Sequence, residues 1–133
     1  MNINPEVRTL RDPLGRARGL GSAKEGVGHW WIQRVTSVAL ALLTPWFVWL
    51  VVRLAGAEQA AAQAVLGHPL HATLMLAFVV ALFWHTKLGL QVVVEDYVHT
   101  RWIELVAQLL INFVCILATL ASVLAIGRMV FTA

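Results

Sequence analysis

His85 closes an apolar stretch, residues 59–86, that contains no Asp, Glu, Lys or Arg, and Lys87 follows it at once. An ionisable group at membrane depth is costly, so each one there needs a partner or a task. A neutral imidazole has one nitrogen that donates and one that accepts. Inside an apolar helix it can hydrogen-bond to another helix, bind the iron of a haem, or pass a proton, and depth alone leaves all three open. Gly89, four residues on, shares the helix face of His85 and opens space there for a flat ring or a close helix. Asp96 lies eleven residues beyond His85, which is three turns plus about 20°, so it falls on the same face. Tyr97 beside it carries a phenolic donor suited to a carbonyl oxygen. The run Glu95-Asp96-Tyr97 also suits a polar interface cap with an anchoring tyrosine.

Other polar groups have plainer readings. Lys87 points about 200° away from His85 around a helix and reads as an anchor or an ion-pair partner. His68 and His71 flank Pro69, and Glu95 and His99 are four apart, but neither pair has the third ligand a metal site needs. Gln108 and Asn112 stack at i and i+4, with Ser122 deeper, as residues that hold membrane helices together.

The elements that position these groups follow from composition. Of the 133 residues, 59% are apolar and 13% charged. Residues 35–52, 59–86 and 105–127 are free of Asp, Glu, Lys and Arg. A membrane helix needs about 20 mainly apolar residues, so the chain holds three spans, about 35–53, 70–94 and 105–127. The pieces left over are too short to bury a core of their own. The expected fold is all-α, an integral membrane bundle of three transmembrane helices after an irregular amino-terminal leader. Residues 1–34 form the leader and 35–133 the anchor domain.

The formal net charge of +3 does not point to nucleic acid, because six of the ten Lys and Arg precede the first span. Basic residues flanking spans mark the cytoplasmic side, so the amino end is expected in the cytoplasm. Trp30 and Trp31 read as interface anchors next to Arg34, and Pro45 allows a kink in the first span. The 34-residue leader and the long apolar run exceed what a cleaved signal peptide shows. Cys115 lies alone within the third span, as a small apolar filler. With its inner end near Val94, the second span carries His85 about 14 Å deep, close to the middle of a core about 30 Å thick.

Three local patterns together resemble a known family: Gly26-Val27 with Arg34-Val35-Thr36 at the first span, His85-Thr86-Lys87-Leu88-Gly89 within the second, and Glu95-Asp96-Tyr97-Val98 at its end. The chain resembles the small hydrophobic anchor subunit of succinate dehydrogenase, the cytochrome b membrane component of respiratory complex II, over about residues 20–127. The resemblance implies that His85 is an axial ligand of haem b, with the second ligand supplied by the other anchor subunit. It implies that Tyr97 binds ubiquinone with Asp96 beside it as a proton relay, and that Arg34 lies near the haem propionates or the quinone.

The implied partners are that second cytochrome b anchor subunit, an iron–sulfur subunit and a flavoprotein subunit. FAD and the iron–sulfur clusters would be confined to the latter two. The chain would not be catalytic alone. It would help pass electrons from succinate oxidation to quinone, in the respiratory chain and the tricarboxylic acid cycle. The expected place is the bacterial inner membrane rather than the mitochondrial one. Alternatives of the same architecture are a fumarate reductase anchor and a haem-free structural membrane anchor. A transporter or channel subunit would need a longer polar pathway than His85, Lys87 and Asn112 provide.

Overall fold

The computed structural model describes residues 26–131. Residues 1–31 and 32–133 are separate compact units. Of the first, only the opening turns of a helix are described, where Trp30 and Trp31 meet edge to face with ring centroids 5.4 Å apart. The basic leader, with Arg8, Arg11, Arg16, Arg18 and Lys24, lies outside the described residues.

Among the described residues four helices follow in order: α1 (Gly26–Leu54), α2 (Gln59–Gly67), α3 (Pro69–Tyr97) and α4 (Arg101–Phe131). Backbone N–H and C=O groups in hydrocarbon have no water to bond, so an apolar segment must satisfy them within a helix. Among the described residues α1, α3 and α4, of 29, 29 and 31 residues, are long and apolar enough to cross a membrane. At 1.5 Å per residue each exceeds 40 Å, roughly the full bilayer including headgroups. The helices therefore run past the apolar segments at both ends and carry Arg34, Asp96 and Glu104 as helical residues. α1 continues across Pro45.

The short α2 is an addition to the three spans expected. Four of its nine residues, Gln59–Gly67, are alanine, the best helix former, so even this brief connection winds up. The chain leaves α1 through Gly56 at φ +87°, a left-handed conformation that glycine reaches without strain at a helix end. At the start of α3, Pro69 occupies the first turn, where a missing N–H costs nothing, and His68 Nδ1 accepts from the Leu70 N–H at 3.3 Å.

Within residues 32–133, α3 is the central element. α1 runs antiparallel to it, as three pairs show: Thr36 with His85, Phe47 with Phe78, and Trp46 with His71. The Phe47 and Phe78 rings stack at 4.5 Å, a pair worth about 0.5–1.5 kcal/mol beyond the area it covers. On its other side α3 packs along α4, and α2 touches both. Few side chains are enclosed: Thr36, Leu50, Ala72, Phe78, Ala81, Leu88 and Cys115. Cys115 is thus buried, in keeping with a filler. Most other large apolar side chains face outward, as a bundle needs when lipid or another subunit covers it.

Candidate functional site

His85 sits half-buried on α3, on the side that faces α1. Its depth along α3 matches the stretch of α1 on either side of Arg34, which brings two polar side chains of α1 to the ring. Thr36 Oγ1 is 3.0 Å from His85 Nδ1, and Gln33 Nε2 is 3.4 Å from His85 Nε2. Thr36 also lies 2.8 Å from the Ile32 carbonyl and 3.1 Å from that of Gln33, the back-bonding a helical threonine makes with its preceding turn. One nitrogen of the imidazole is held closely, while the other has a single contact at the limit of hydrogen bonding.

Two further observations concern the loosely held side. Gln33 Oε1 is buried and has no hydrogen-bond partner. A burial of this kind costs about 1–3 kcal/mol, so the amide is not in a well-satisfied position. Gly89, one turn beyond His85, has no atom within 4 Å of where a Cβ would stand. No neighbour within this chain requires a glycine there, and the space beside His85 is open. A histidine with one nitrogen anchored and the other nearly free, next to open space and an easily displaced amide, fits an axial ligand of a haem. Among the described residues no three His, Cys, Asp or Glu side chains cluster as a metal site, so the His68–His71 and Glu95–His99 pairs remain without a third ligand.

The other candidate residues are placed as follows. Arg34 follows Gln33 on α1 and is exposed. Asp96 and Tyr97 end α3 and are exposed, Tyr97 at 78%, which leaves its phenol open to a molecule outside this chain. His85 is brought against α1, whereas Tyr97 and Asp96 are exposed among the described residues. Lys87 faces the α3–α4 side, with its ammonium 5.3 Å from the Trp84 ring centroid. It lines a cavity of about 290 Å³ together with Phe83, Cys115 and Thr119. The lysine therefore has an aromatic partner on its own helix rather than an ion pair.

Towards the Tyr97 end, the α3–α4 side closes with polar contacts. Gln91 Nε2 donates to Glu95 at 2.9 Å, and Gln108 Nε2 lies 3.5 Å from both Glu95 and Glu104. Gln108 thus bridges the helices, while Asn112 turns back to the Gln108 carbonyl at 2.9 Å. His71 stacks on Trp46 with centroids 5.9 Å apart, as an interface histidine does.

Sequence reasoning had missed Gln33 and the role of Thr36. Both are polar residues within a few positions of the first span's start, at the depth of His85 on the second. Matching depths across antiparallel spans is the signal that points to them.

The chain matches the model of the family described as succinate dehydrogenase/fumarate reductase transmembrane subunit over residues 8–119. It is 34% identical over 119 residues to the succinate dehydrogenase hydrophobic membrane anchor subunit of Paracoccus denitrificans, covering 88% of this chain and 90% of that one. The protein of the same description from Rickettsia conorii is 30% identical over 121 residues, covering 90% and 96%. The succinate dehydrogenase membrane anchor subunit of Reclinomonas americana is 29% identical over 96 residues, covering 70% and 80%. No solved structure matches the chain.

Proposed function

The chain belongs to the succinate dehydrogenase/fumarate reductase transmembrane subunit family, and from that premise we propose how its few polar residues serve a haem and a quinone. It is a membrane-anchoring subunit of succinate dehydrogenase, a multi-pass protein of the bacterial inner membrane that works in a complex with other subunits. The partners proposed are a second cytochrome b anchor subunit, an iron–sulfur subunit and a flavoprotein subunit. The amino end lies in the cytoplasm, on the side where the basic leader is concentrated.

The observation that carries the cofactor reading is the half-held imidazole of His85, anchored at Nδ1 by Thr36 and nearly free at Nε2. His85 would hold haem b through Nε2, together with a ligand from the other anchor subunit. When bound, haem b accepts and returns single electrons. Gln33, held to Nε2 only by a 3.4 Å contact, would be readily displaced there. Arg34, as a fixed cation on the same end of α1, offsets the negative charge of the propionates or of a quinone oxygen.

Ubiquinone is taken as a substrate at the Tyr97 end of α3. The exposed phenol donates to a quinone carbonyl oxygen, a bond that strengthens as negative charge develops there. Asp96, exposed next to it, relays protons from the aqueous side, since quinone reduction consumes protons as well as electrons. FAD and iron–sulfur clusters belong to the partner subunits, where succinate is oxidised. The curated relatives named above are succinate dehydrogenase subunits, which favours succinate oxidation over fumarate reduction as the working direction.

The test is a reduced-minus-oxidised spectrum of the complex purified from membranes, with and without His85→Ala. A haem b signal that His85→Ala removes supports the assignment, and one that survives it overturns the ligand. A purely structural anchor gives no such signal in either preparation.

A further inference from the structure

We propose that Thr36 is the positioning residue for His85, accepting the Nδ1–H of the imidazole and thereby fixing the tautomer that leaves the Nε2 lone pair free for iron. The inference deepens the reading of His85 as the haem ligand and rests on it. A threonine hydroxyl has one hydrogen, and the Ile32 carbonyl at 2.8 Å is its nearest acceptor. The imidazole at 3.0 Å is farther, so the hydrogen stays with α1 and the hydroxyl oxygen presents a lone pair to Nδ1. Nδ1 then carries the ring hydrogen, and Nε2 is an acceptor.

The Gln33 amide agrees with that assignment. Its Nε2, a donor, is the atom that faces His85 Nε2, at 3.4 Å. With the hydrogen on His85 Nε2, the amide would have to turn its oxygen to the ring for the two groups not to oppose each other as donors. In the Nδ1–H tautomer the amide instead caps the lone pair weakly, while its own Oε1 stays unsatisfied. The cap is easily displaced because little is lost with it.

Thr36 is suited to the task in two ways. It is buried, at 9% exposure, so water does not compete for its hydroxyl. It is also β-branched, and in a helix the χ1 angle of such a residue has few states. The bond direction has an electronic consequence. A ring N–H that donates makes the opposite nitrogen a stronger base, so iron bound there is held more firmly and its ferric state is favoured.

The tautomer is read directly on the unmodified full chain, ¹⁵N-labelled at histidine and held haem-free in lipid bilayers, by solid-state NMR. The signals lost in His85→Ala identify the residue. An Nδ1–H tautomer is expected, and an Nε2–H tautomer, with the Gln33 amide turned to accept from it, overturns the proposal. In the assembled complex, Thr36→Val keeps the shape and removes the acceptor. It should loosen haem retention about tenfold or more and shift the haem midpoint potential upward, while Thr36→Ser restores both. Wild-type retention and potential in Thr36→Val, in a complex whose haem is lost in His85→Ala, overturn the role of Thr36 alone. Haem retained in His85→Ala overturns the ligand reading itself.

Discussion

The two long sides of α3 handle their polar groups differently. On the α3–α4 side, Gln91, Glu95, Gln108 and Glu104 bond to one another, and Asn112 bonds to its own helix. Even Lys87 has a partner there in Trp84. On the α1 side, His85 has one close contact and one slack one, and Gln33 keeps a buried oxygen with nothing to bond. A polar group in a membrane interior is normally satisfied by its neighbours, since the alternative is a bare dipole in hydrocarbon. One side is finished within the chain and the other is not. The unfinished side is the one that expects a contribution from outside.

That contrast can be broken experimentally, and the largest effect should come from His85. Replacing it with alanine is expected to abolish the haem b spectrum of the purified complex, while the polar bridge on the α4 side leaves assembly intact, as read by co-purification of the other subunits. A complex that loses subunits and haem together would make His85 part of the structural seam instead. Next in size is Phe78→Ala, which removes one ring of the α1–α3 stack. By the cost of such truncations in packed cores it should destabilise the chain by about 3 kcal/mol, checked by unfolding in mixed micelles.

Tyr97→Phe should act more modestly and more selectively. Loss of one hydrogen bond to a charge-developing oxygen, about 1.4 kcal/mol, lowers quinone reduction roughly tenfold. Succinate oxidation with a soluble artificial acceptor should stay near the wild-type rate, and an equal fall in both activities would remove Tyr97 from the quinone. Smallest of all, Gln108→Leu should cost about 0.6 kcal/mol of stability, the average for an interhelical hydrogen bond in a membrane, and leave the haem spectrum unaltered. A spectral change in that variant would erase the distinction between the two sides.

Much of the fold could be read before any coordinates, because charge in hydrocarbon is expensive. Three charge-free segments therefore mark three crossings. Helix ends were harder to read. Once a helix clears the hydrocarbon its residues are free to be polar, so Arg34, Asp96 and Glu104 look like loop or boundary residues although they are helical. The helix at Gln59–Gly67 was hidden for another reason, since alanine-rich segments outside the spans carry no periodic pattern to read. His85 stood out in the sequence as an ionisable group at depth. Thr36 did not, since an uncharged hydroxyl near a helix start has many ordinary uses. Its pairing with His85 depends on how far α1 is rotated about its axis, which the order of residues does not state.

The central place of α3 also has a consequence for which helices the site requires. Among the described residues, the side chains that hydrogen-bond His85 come from α1 and none from α4. Gln33, Thr36 and His85 all precede Arg101 in the chain, so no residue of the last helix is needed to orient the imidazole. The proposed half-site for the cofactor needs only two helices, and the seam with α4 is built apart from it.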